Sequence, residues 1–85
     1  MATHGLDIEA TVVDREIHLT IDSELQEELM VDLLDLSGRI VLQRELLAGN
    51  GSRRFVVSTE GLPAGAYLLR VGDRSRSRVV KIMVR

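Results

Sequence analysis

The sequence predicts an all-β fold, a single small antiparallel immunoglobulin-like β-sandwich of about seven strands. Three observations support that class. Aliphatic residues alternate with polar ones in short runs along most of the chain, the period of a half-buried strand. Clusters of Gly, Pro, Asn, Asp and Ser punctuate these runs, and the connections are too short for crossovers, so neighbouring strands run antiparallel. The core-forming set is Leu, Val and Ile: apolar residues make up 45% of the chain and aromatic residues 2%, which favours thin aliphatic layers. Eighty-five residues hold one modest core and not two. Residues 1–5 are expected to form a disordered lead and residues 6–85 the sandwich domain.

Leu6, Ile8, Ala10 and Val12 alternate with Asp7, Glu9 and Thr11, a first strand that Asp14-Arg15 ends. Ile17, Leu19 and Ile21 alternate with Glu16, His18, Thr20 and Asp22 in a second. Residues 23–36 carry two patterns. Ser23 with Gln26 resembles a capping box, and Leu25, Leu29, Leu33 and Leu36 recur at helical spacing. Read as a strand, the same segment turns Leu29, Val31 and Leu33 inward and Met30 and Asp32 outward. The strand is preferred. Ser37-Gly38 followed by Ile40-Val41-Leu42 completes a hairpin, and the first two strands need a further neighbour to close a sheet.

After the turn, Ile40, Leu42 and Leu46 continue a fourth strand to Leu47. Ala48-Gly49-Asn50-Gly51-Ser52 is the strongest loop signal, and Phe55 and Val57 share one face of a strand over 53–58. Leu62-Pro63-Ala64-Gly65 reads as a sharp type II turn, with Pro63 fixing φ at about −65° and Gly65 tolerating a positive value. The strand over 66–71 leaves it at once, with Tyr67, Leu69 and Val71 on one face. Residues 72–77 read as a polar hairpin loop. The last strand spans 78–84, with Val80, Ile82 and Val84 inward.

Residue chemistry removes most functional classes. The net charge is −2, from 11 basic and 13 acidic residues, so no overall field draws the chain to nucleic acid. Arg53, Arg54, Arg70, Arg74, Arg76 and Arg78 lack the stacking aromatics of a nucleic-acid site and read as charges that discourage strand addition at a sheet edge. With no cysteine, thiol catalysis and thiolate metal sites are out of reach. His4 and His18 lack metal-ligand spacing. Glu24, Glu27, Glu28, Asp32 and Asp35 lack the glycine-bent loop that calcium requires, and read as a solvated outer face.

Ser37, Ser58, Ser75 and Ser77 have no histidine relay and no Gly-x-Ser-x-Gly elbow, and no lysine or helix start follows Gly49-Asn50-Gly51. The chain is therefore not expected to be an enzyme, to hold a metal or cofactor, or to bind a small-molecule substrate or nucleic acid. No apolar run approaches the roughly 20 residues of a membrane helix, so no membrane insertion is expected. Met1-Ala2-Thr3-His4-Gly5 lacks the basic start and apolar core of a signal peptide, which fits a cytoplasmic chain or one part of a longer exported protein.

Function has to come from likeness to known proteins. Three stretches stand in order: Val31-Asp32-Leu33-Leu34-Asp35-Leu36-Ser37-Gly38-Arg39-Ile40-Val41, then Leu62-Pro63-Ala64-Gly65-Ala66-Tyr67-Leu68-Leu69-Arg70-Val71, then Lys81-Ile82-Met83-Val84-Arg85. Together they resemble the C-terminal sorting domain of type IX secretion cargo proteins. The likeness covers residues 29–85, and its specificity lies in Asp-Leu-Ser-Gly-Arg and Leu-Pro-Ala-Gly-x-Tyr occurring together near the chain end.

The resemblance implies a strand before Ser37 and a domain at the tail of an exported protein. It implies protein partners and no cofactor: the outer-membrane translocation machinery recognises such a domain, which is then removed, usually as the cargo is attached to the cell surface. Ser37, Gly38, Arg39, Pro63, Gly65 and Tyr67 are expected to shape the recognised fold, and Lys81 and Arg85 on the terminal strand to make the recognition. The alternative is an immunoglobulin-like structural, adhesive or designed module that binds a protein partner, or itself, through an exposed strand edge.

Overall fold

The computed structural model describes residues 6–23, 28–46, 51–73 and 76–85. These form seven strands and no helix: β1 (Leu6–Val13), β2 (Glu16–Ser23), β3 (Leu29–Leu34), β4 (Ile40–Leu46), β5 (Gly51–Ser58), β6 (Gly65–Gly72) and β7 (Ser77–Val84). They make one sheet in the order β1-β2-β5 and a second in the order β4-β3-β6-β7. Every pairing is antiparallel. This is an immunoglobulin-like sandwich in which β4 lies beside β3 in the second sheet, as an added strand does in the larger members of that class.

The second and third strands explain why the two layers close. Ile17, Leu19 and Ile21 point from β2 into the interior and are 0–2% exposed. Across from them lie Leu29, Val31 and Leu33 of β3 with Tyr67, Leu69 and Val71 of β6. Burying one such side chain contributes about 1.5–3 kcal/mol, so a residue flanked by strands on both sides decides its segment's conformation. Val31 pairs with Arg44 and Val71, and Leu33 with Leu42 and Leu69. The segment from Leu29 is a central strand for that reason, and local helical spacing does not compete. The proposed capping-box partner Gln26 and the lead over residues 1–5 lie outside the described residues, as do Leu47 and residues 48–50.

Ile40 opens β4 as expected and is 46% exposed, because the register of β3 and β4 shifts between Leu33 and Leu34, so that Ile40 pairs with Leu34. Three strand bounds need correction. β3 ends at Leu34, which leaves Leu36 exposed at the turn. β5 starts at Gly51, two residues inside the expected loop, because Ser52 and Gly51 pair with Asp22 and Ser23. Gly72 and Ser77 also belong to a ladder and not to the loop between β6 and β7.

Candidate recognition surface

The register of the four-stranded sheet gathers the motif residues at one end. Leu34 of β3 pairs with Ile40 and Leu68, and Leu68 pairs with Lys81 of β7. Beyond that row lie the turn that carries Ser37, Gly38 and Arg39, the start of β6 at Gly65 opposite Val84, and the chain end at Arg85.

The β3–β4 turn is built on Asp35, a residue that pattern reading assigned to a solvated face. Its amide donates to the Arg39 carbonyl at 2.9 Å, and the Gly38 amide donates to the Asp35 carbonyl at 3.0 Å. Gly38 takes φ 93°, the left-handed residue that closes a three-residue hairpin loop. One carboxylate oxygen of Asp35 accepts the Ser37 hydroxyl at 2.6 Å and the amides of Ser37 and Arg39 at 3.0 Å each. The Ser37 hydroxyl and the Arg39 amide hold the Asp35 carboxyl below its ordinary value. Asp35 therefore positions Ser37 and Arg39, and an aspartate two residues before Ser-Gly was the available signal.

The turn at the other motif is displaced from the expected place. The Leu62 amide donates to the Thr59 carbonyl at 3.0 Å, with Gly61 at φ 87°, so the type II geometry spans Thr59 to Leu62. Pro63 follows it, exposed, and Gly65 opens β6 at φ 150°, a backbone region that side chains disfavour. Tyr67 closes the corner. Its ring is 5% exposed in the core, and its hydroxyl donates back to the Pro63 carbonyl, the tyrosine-corner device of immunoglobulin-like domains. Thr59, fully buried, ties this corner to the β1–β2 hairpin: its amide and hydroxyl donate to the Arg15 carbonyl at 2.8 and 2.9 Å. No motif singled out Thr59, because its partner lies 44 positions earlier.

The outward side of the sheet carries a polar row with a buried carboxylate at its centre. Asp32 is 5% exposed even though it alternates outward, and its neighbours across the strands are Gln43 and Arg70. Gln43 Nε2 donates to one carboxylate oxygen at 2.7 Å, and Arg70 Nη2 and Nε donate to the other at 2.6 and 3.2 Å. Burial pushes the Asp32 carboxyl upward, but the hydrogen bonds from Arg70 and Gln43 and the Arg70 charge outweigh it and hold the group below its ordinary value. Beside this row an open depression of about 690 Å³ is lined by Glu28, Met30, Glu45, Gly72, Asp73 and Ser77. Gly72 makes room for the hairpin, since a Cβ there would sit 2.2 Å from the Arg76 carbonyl oxygen.

β7 is an outer strand of this sheet, with Ile82 and Val84 buried, Val80 half-buried, and Lys81, Met83 and Arg85 exposed. Its neighbour in the other sheet is β1, where Arg78 Nε donates to the Leu6 carbonyl at 2.7 Å. Among the described residues, no group of three or more His, Asp or Glu side chains is placed to hold a metal ion.

Comparison with known families matches residues 15–85 to a family described as the secretion system C-terminal sorting domain. No curated protein matches the chain. The matched span takes in β2 to β7, including both turns, the tyrosine corner and the terminal strand. The chain thus belongs to the type IX secretion system C-terminal sorting domain family.

Proposed function

We propose that this domain is the address of an exported protein, read at the outer membrane by the translocation machinery through the terminal strand β7. The observation that carries the reading is the family match over residues 15–85. Several features of the fold support it. The two turn motifs and the chain end lie at one end of one sheet, so that a hydrogen-bonded corner stands beside the strand. β7 keeps one ladder edge unpaired within its sheet and presents Lys81 and Arg85 to solvent, a form suited to recognition by strand addition or by an acidic surface. The role is binding without chemistry, and the partner is a protein of the machinery.

In this account Ser37, Gly38, Arg39, Pro63, Gly65 and Tyr67 act by shaping the end of the sheet. Lys81 and Arg85 act by contact. Passage through the outer membrane leaves the cargo in the medium or on the cell surface, after which the domain is dispensable. The test is a fusion of residues 1–85 behind a periplasm-directed reporter in a bacterium with type IX secretion. The reporter should appear outside the cell and should be lost from the outside in a strain lacking the translocon. Retention of the intact fusion in the periplasm of the competent strain would overturn the reading.

A further inference from the structure

Four strands lie at the outer edges of the two sheets, β1 and β5 in one and β4 and β7 in the other. A bare edge invites another strand, and a charge on its inward side is one device that prevents this. β4, β5 and β7 each carry an arginine on the side turned to the core. Arg44 stands opposite Val31, Arg53 opposite Ile21, and Arg78 opposite Val71 near the start of β7. β1 carries none. Its core side is Leu6, Ile8, Ala10 and Val12, and the last three are half-buried, because β2 flanks them on one side alone. The strand contains no proline or glycine, and its register with β2 runs unbroken over all eight residues.

The Leu6 carbonyl accepts Arg78 Nε at 2.7 Å, so it points away from β2. The alternation of an antiparallel ladder turns the amides and carbonyls of Ile8, Ala10 and Val12 the same way. Such a row is matched by another extended chain. The outward side chains favour one partner. Asp7 and Glu9 occupy one half of the strand, and the uncharged Thr11 and Val13 the other. A second β1, set antiparallel about a two-fold axis at Ala10, places Glu9 opposite Thr11 and Asp7 opposite Val13. On the core side it places Ile8 opposite Val12. Parallel pairing in register would oppose Asp7 to Asp7 and Glu9 to Glu9. We propose that β1 pairs with β1 of a second copy of the chain, joining the two three-stranded sheets into one of six strands. β1 precedes the residues 15–85 matched to the family, and the inference does not rest on the sorting reading. A contact one strand edge long belongs to the small, reversible class.

Sedimentation equilibrium of the purified chain from about 10 µM to about 1 mM should show a monomer–dimer equilibrium with a Kd on the order of 100 µM. Ala10→Pro removes an amide that faces out of the sheet, so it should leave the fold intact and raise the Kd roughly tenfold or more. Register is read with cysteine, of which the chain has none of its own. Glu9→Cys with Thr11→Cys brings thiols together at two symmetric places, with Cα atoms about 4.5 Å apart, and mild oxidation should give a covalent dimer in high yield. Asp7→Cys alone leaves its two thiols about 20 Å apart and should give little. Circular dichroism and thermal melts check that each variant is folded, and the cysteine pair decides if Ala10→Pro does not fold. A monomer throughout the range overturns the proposal. So does a dimer that folded Ala10→Pro leaves unchanged, or a cross-linking yield no greater for the pair than for Asp7→Cys.

Discussion

Tyr67 is held at both ends, with its ring in the core and its hydroxyl on the Pro63 carbonyl. The two parts separate by substitution. Tyr67→Phe should cost about 1 kcal/mol, since the exposed Pro63 segment can take water in place of the hydroxyl. Tyr67→Ala should cost about 3–5 kcal/mol, the range for an emptied aromatic site. Urea titration measures both, and equal losses would mean that the hydroxyl carries the whole effect. Asp32 makes a second prediction. Its folded pKa lies below its unfolded one, so the Arg70 pairing contributes stability that is complete above the ordinary carboxylate range and is lost as pH falls through the folded value. Asp32→Asn should lower stability at neutral pH by roughly 1–3 kcal/mol and flatten the acid limb of the stability curve. An acid limb of unchanged slope would remove Asp32 from the linkage. Alternation placed Tyr67 on the inward face from sequence alone. It also turned Asp32 outward correctly, yet its burial was hidden, because a cross-strand partner 38 positions away is invisible without the register.

Elements were more legible than single contacts. All seven strands fall within or over the segments expected to hold them, because a two-residue period is a local property that the two-layer core enforces, and only the third needed the hairpin argument to prefer it over a helix. What escaped was set between strands. The shifted register at Leu33 and Leu34 turns Ile40 outward, and the pairing of Gly51 and Ser52 with β2 shortens the loop before them. The glycines divide likewise. Gly38 and Gly61 are needed for their φ, and Gly72 for space. Gly38→Ala should cost about 1–2 kcal/mol, the ordinary penalty of the left-handed region, since nothing lies within 4 Å of the added atom. Gly72→Ala should cost more, because the obstacle is the backbone of Arg76 and Ser77 across the ladder and cannot swing aside. Thermal unfolding of the two variants ranks them, and a milder Gly72 variant would contradict the close approach.

At the scale of the whole molecule, the candidate site divides into a legible and an illegible part. The two turn motifs and the terminal strand stand in the sequence, and the fold brings them to one end of one sheet. Of the supports beneath them, Asp35 has a local signal in the sequence just before the Ser37-Gly38 turn, whereas Thr59 under the Pro63 corner emerges only from hydrogen bonds in three dimensions. If this scaffold presents β7 for recognition, as proposed, the decisive measurement separates recognition from folding. Lys81→Ala with Arg85→Ala removes two exposed charges and leaves Ile82 and Val84 in the core. Such surface changes shift stability by no more than about 0.5 kcal/mol. A reporter fused to this variant should stay in the periplasm of a type IX-competent strain, while the isolated variant melts within a few degrees of the parent. Export at the parental level by the folded double variant would contradict the proposal.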